Sequence, residues 1–175
     1  MPKKHRKSKP PTRRSATEVR LRQVSEDTVW EFLHPRCALE RADDIQEVET
    51  ILKAGENEIA MDELRWLLSG CSDFIHGHRL LGELALAAGD LELARGHFGF
   101  AFYAGAKAWK KAGKPVPLPY RREANRDFFE SGKGLANCLL AAKKRKMAEE
   151  VVQVMLKCDP TDPLGVKNLL ARRGS

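Results

Sequence analysis

Residues 80–101 read LLGELALAAGDLELARGHFGFA, a run of good helix formers in which glycine and alanine stand where larger side chains would bury more surface. Small residues inside a helix point to close approach by a neighbouring backbone. The run breaks once, where Gly89 ends one helix and Asp90, a strong N-cap residue, opens the next. The stretch therefore predicts two helices joined by a tight turn.

Outward from this pair the pattern stays helical. Ile45, Val48, Ile51 and Leu52 form one apolar stripe stopped at Ala54-Gly55, and a second helix follows in NEIAMDELRWLLSG (57–70). The pair in 72–111 gives way to KKAGKPVPLPY (110–120), whose prolines cannot sit in a helix interior. Helices resume over about 121–142 and 147–157, and LGVKNLLARR (164–173) supplies a terminal one. Before all of these, SEDTVWEFL (25–33) reads as a short helix capped by Ser25 or Asp27, with Trp30 and Phe32 or Leu33 packing onto the body.

Sliding the sequence against itself organises these helices. Gly55 and Gly89 are 34 apart, as are Ala60 and Ala94, Leu64 and Phe98, and Leu67 and Ala101. On Leu81, Gly82, Gly89, Ala94, Phe98 and Ala101 the segment resembles a tetratricopeptide repeat, with departures at His78, Ala85 and Ala106. The resemblance frames repeats at 41–74, 75–108 and 129–162. The third rests on Leu135, Ala136, Leu139, Ala148, Val152 and Pro160, and an insertion at 109–128 precedes it. It implies an all-α fold of antiparallel helix pairs stacked as a right-handed superhelix, with 25–40 capping the start and 163–175 the end.

The resemblance also implies a concave groove lined by the first helix of each pair. Its places fall on Ala42, Ile45, Glu49, Leu52 and Lys53, then His76, Arg79, Glu83, Leu86 and Ala87, then Glu130, Lys133, Asn137, Leu140 and Ala141. Such a mixed apolar and charged groove suits a peptide or partner protein. The expected role is a protein-interaction scaffold. Lys133, Asn137 and Asn168 resemble half of the clamp by which some members of the family hold a C-terminal carboxylate, ranked well below a general peptide groove.

Charge divides the chain. Residues 1–22 hold nine cations against one acid, Glu18, whereas the remainder is close to neutral. Lys3, Lys4, Arg6, Lys7, Lys9, Arg13 and Arg14 lie in a segment with too little apolar content to offset ordering, so 1–24 reads as a disordered basic tail. The alternative function is therefore a nucleic-acid-associated adaptor whose tail binds phosphates while the repeats recruit a partner. The tail has no interleaved aromatic to stack bases.

Cys37, Cys71, Cys138 and Cys158 make no CxxC pair, which argues against a secreted disulfide scaffold, and no run reaches the ~18 apolar residues of a membrane span. These features point to a soluble, cytoplasmic protein. His34, Cys37, Cys71, His76 and His78 match no zinc-finger spacing and read as structural, with no metal or cofactor implied. GxSxG, HExxH and GxxxxGK[ST] are missing, and the expectation is no enzyme. PVPLP (115–119) lacks a PxxP register and reads as a loop spacer in preference to a docking arm.

Overall fold

The computed structural model describes residues 18–24 and 28–171. Strands β1 (Arg20–Gln23) and β2 (Trp30–Leu33) precede helices α1 (Arg36–Leu39), α2 (Ala42–Lys53), α3 (Asn57–Ser69), α4 (Ile75–Ala87), α5 (Leu91–Lys111), α6 (Glu123–Ala141), α7 (Arg145–Cys158) and α8 (Val166–Ala171). The protein is mostly helical, and α2 to α7 pack in chain order.

The turns between paired helices follow from local chemistry. Gly55 and Gly89 both sit at φ +80°, a region that costs a side-chain-bearing residue strain. Asp90 caps α5 by accepting from Leu93 N at 2.9 Å. Past each turn an alanine faces inward: Ala60, Ala94 and Ala148 are all fully buried. Larger buried residues follow four places on, Leu64, Phe98 and Val152, and three places beyond these Leu67, Ala101 and Met155 are buried as well. A β carbon at Gly82 would lie 2.7 Å from the Phe98 ring, and one at Gly134 would lie 2.8 Å from it, so glycines on α4 and α6 make room for that ring.

Three apolar clusters result, the smallest of them Ala38, Cys71 and Phe74. Val48, Ala60, Leu64, Leu67, Leu80 and Leu81 join α2, α3 and α4. The largest joins α5, α6 and α7, and in it Phe128 stacks on Phe102 with centroids 5.0 Å apart and meets Phe32 at 5.0 Å. Burying such a ring stabilises by about 1.5–3 kcal/mol.

The N-terminal segment departs from expectation. Trp30–Leu33 is a strand, not part of a helix, and residues 20–23, placed with the tail on charge, are its antiparallel partner. Val19 and Leu21 alternate with arginines at period two, and Glu31 opposite Arg22 adds a cross-strand ion pair at 2.7 Å. The hairpin packs on α5 and α6, far along the chain, so it does not sit over the first helix pair. Residues 1–17, Ser25, Glu26 and Asp27, with the predicted caps and phosphate-binding cations, lie outside the described residues.

The proline segment is not a free spacer. Leu118 is fully buried and donates its N–H to Cys158 O at 2.9 Å, while Pro117 O accepts from Trp30 N at 2.9 Å. Asn125, fully buried at the start of α6, accepts from Phe32 N through Oδ1 and donates through Nδ2 to Trp30 O and Pro119 O. One amide thereby satisfies backbone groups of both the hairpin and the segment.

Cys37 and Cys71 form a disulfide with Cα atoms 5.7 Å apart. They are 34 residues apart in sequence but adjacent in space, because α1 folds back onto the turn before α4. Such bonds persist in oxidising compartments, so cysteine spacing no longer supports a cytoplasmic setting. Among the described residues, no helix is long and apolar enough to cross a membrane.

Candidate functional site

Helices α2, α4 and α6 bring their exposed faces together along one trough. At one end, a cleft of about 670 Å³ has an apolar floor of Ala38, Leu39, Ala42, Ile45 and Phe74. It runs through His76, Glu123 and Asp127 into a second, charged cleft of about 500 Å³ that includes Arg79, Glu83, Arg126 and Glu130.

An ionic ladder crosses the three helices. Asp127 on α6 accepts from His76 Nδ1 at 2.9 Å and from Arg79 Nε at 2.6 Å, both on α4. Arg79 also pairs with Glu83 one turn on, and His76 Nε2 faces Glu49 Oε1 of α2 at 3.4 Å. Because a carboxylate only accepts, His76 donates from Nδ1, which leaves Nε2 turned toward Glu49. Burial opposes the charged form of Asp127, but hydrogen bonds and charge from His76 and Arg79 outweigh it and hold the carboxyl below its ordinary range. Burial likewise opposes the charge on Arg79, and Asp127 and Glu83 overcome it. The Asp127 carboxylate and the Arg79 guanidinium in the wall of the trough are therefore charged and already paired.

Further along, Tyr120 donates its hydroxyl to Glu130, and that hydrogen bond, with burial behind it, raises the phenol above its usual range. At the apolar end Glu31 accepts from both Arg22 and Arg122. Burial disfavours the Glu31 charge, but the two guanidinium partners win and lower its pKa. This cross-link fastens β2 to the residue before α6 and fixes that end of the trough.

Of the residues expected in the groove, Ala42, Ile45, Glu49, His76, Arg79, Glu83 and Glu130 meet in this trough. Leu52 is half-buried and packs on the α2–α4 core instead. Leu86, Asn137 and Leu140 line a separate cleft of about 360 Å³ with Leu91 and Leu169. Lys133 and Asn168 line neither, so the three residues of the suggested carboxylate clamp do not share a cleft. Asp127 escaped the sequence reading because the frame assigned 109–128 to an insertion, whereas α6 starts at Glu123 and carries Asp127 beside α4. The signal was present in its spacing of three from Glu130 on a helical face.

The residues considered for zinc have other partners. Cys37 and Cys71 are bonded to each other, His34 Nε2 donates to Ala124 O at 2.9 Å, and His78 Nε2 donates to Ser72 O at 3.1 Å. Since Ser72 O cannot donate, His78 Nδ1 is the acceptor in the 3.1 Å contact with His97 Nδ1, and His97 donates.

Comparison with protein families, with curated proteins and with solved structures gives no match.

Proposed function

We propose that the three helix pairs form a tetratricopeptide-like stack whose role is to bind a peptide or partner protein in the trough of α2, α4 and α6. The observation that carries this reading is the continuity of that trough: an apolar floor around Ile45 and Phe74 passes directly into the Glu49–His76–Asp127–Arg79–Glu83 ladder. An apolar side chain of a ligand fits the first part, and polar or charged groups beside it meet the second. Pre-paired walls favour this use, because side chains already held by neighbours lose little entropy on binding. The repeated burial at equivalent offsets and the paired glycine turns support the stack.

Affinity purification tests it, using the full chain beside Leu39→Lys and an Arg79→Ala/Glu83→Ala double variant. Leu39 is 61% exposed, so its replacement leaves the core intact. The reading expects both variants to lose a partner that the wild-type chain retains, with unchanged circular dichroism. Equal recovery from all three would overturn it.

A further inference from the structure

A second cleft, of about 630 Å³, shares no lining residue with the trough and is built from the second helices of two pairs, α5 and α7, over Leu135 and Leu139 of α6. Its apolar surface is aromatic and open: Phe100 is 55% exposed and Tyr103 is 53% exposed. Neither ring is loose. Phe100 stacks on the buried His78 ring with centroids 4.8 Å apart, and Tyr103 meets Phe102 edge-on. They are planar platforms fixed from behind.

Cations surround these rings. Arg95 and Lys107 stand on α5, and Lys144 stands at the start of α7. Lys143 and Lys146 adjoin Lys144, and among the described residues Lys107, Lys143, Lys144 and Lys146 make no salt bridge. The acid at the rim, Asp73, already accepts from Val19 N.

The local sequence accepts unfavourable choices to keep this surface. Lys143 sits at φ +59° in the turn before α7, where the two earlier turns use Gly55 and Gly89. The first turn of α7 holds no acid and places Arg145 and Lys146 at the positive end of the helix dipole, where cations are disfavoured. Gly96 lies in the exposed interior of α5 with no atom within 4 Å of where its β carbon would be, so packing does not require it. Each choice weakens the helix pair, and together they leave a bare floor beside lysines that make no salt bridge among the described residues, while Arg95 pairs with Glu92 at 3.8 Å.

We propose that the face formed by α5 and the start of α7 binds single-stranded nucleic acid, with bases stacked on Phe100 and Tyr103 and phosphates held by Arg95, Lys107 and Lys144. Exposed, pre-positioned aromatic faces flanked by cations are the two components that such ligands require. An acidic peptide would satisfy the charge, but it has less use for two open ring faces. The residues of the site lie on α5 and at the start of α7.

Fluorescence anisotropy of the full chain tests this, using labelled oligothymidylate and oligouridylate about twenty nucleotides long, a matching duplex and a glutamate-rich peptide. The expected result is preferential binding of a single strand. Phe100→Ala/Tyr103→Ala should weaken it at least about tenfold without changing its salt slope, while Phe100→Trp/Tyr103→Trp retains it. Arg95→Ala/Lys107→Ala/Lys144→Ala should reduce the log–log salt slope by about 2. Any of three results would overturn the proposal: wild-type binding by both alanine variants, equal or tighter binding of the duplex, or tighter binding of the acidic peptide.

Discussion

Phe98 on α5 lies against the backbone of α4 at Gly82, so closely that a β carbon there would fall 2.7 Å from ring atom Cδ1. Gly134 of α6 confines the same ring, with every nearest approach at 2.8 Å, so the ring has nowhere to retreat. Gly82→Ala should therefore destabilise by about 1–3 kcal/mol through overpacking, although it adds apolar area and helix propensity. Gly96→Ala, where no atom comes within 4 Å, should stabilise by about 0.5–1 kcal/mol. Urea unfolding of both variants checks the contrast. Equal shifts of the same sign would contradict this packing.

The His78–His97 contact makes stability depend on acidity. Burial, aided by the nearby His97 and opposed by the hydrogen bond to Ser72, pushes His78 down to about 4, and burial also lowers His97, with Arg65 adding to it. Both folded values lie below the unfolded value of about 6.5. Their neutral forms thus support the fold fully above that value, and the unfolded chain gains protons first as the pH falls. Stability should drop by about 2–4 kcal/mol between about pH 6.5 and 4. His78→Phe should flatten that part of the curve in thermal melts.

Asp127 gives the trough a different pH response. Its folded pKa is lowered despite burial, so its contribution is present above the ordinary carboxyl range and is lost as pH falls through the folded value. Asp127→Ala strips Arg79 and His76 of their shared acceptor and should cost about 1–3 kcal/mol at neutral pH. The gap from wild type should narrow below about pH 3.8, which denaturant titrations at several pH values would measure.

Thiol counting separates the cysteines. Cys37 and Cys71 are bonded, whereas Cys138 and Cys158 are free and buried. Burial, reinforced by Asp159, pushes the Cys158 thiol up to about 12, and burial also raises Cys138. Neither should react with a thiol reagent in the native protein near neutral pH. Unfolding without reductant should release two reactive thiols, and reduction should release all four. Four thiols in the non-reduced, unfolded chain would remove the Cys37–Cys71 link.

The helices were legible because their signals are local. Gly55, Gly89 and Asp90 punctuate them, and the 34-residue offset aligns Ala60 with Ala94 before any contact is known. The hairpin was not, because TVWEFL carries apolar residues at spacings that either a short helix or a strand can use, and the partner strand that decides between them was masked by its arginines. The disulfide and the Glu31–Arg122 link depend on residues far apart in the chain, and no local pattern announces them. Half of the trough followed from the repeat frame. The other half lies on the first turns of α6, which the helical reading of 121–142 included but the repeat frame set aside as an insertion.

The hydrogen bonds of Leu118 to Cys158 and of Trp30 to Pro117, with Tyr120 N donating to Asp159 Oδ2, join the first strand pair to the turn after α7. A stack of independent modules can be lengthened, shortened or frayed from either end. Here the beginning and the end of the folded body are stitched by the same few residues of the proline segment. Deleting α6 and α7 would tear that seam as well as remove two helices. Strand β2 and the end of α7 are thereby coupled in unfolding, although more than a hundred residues separate them.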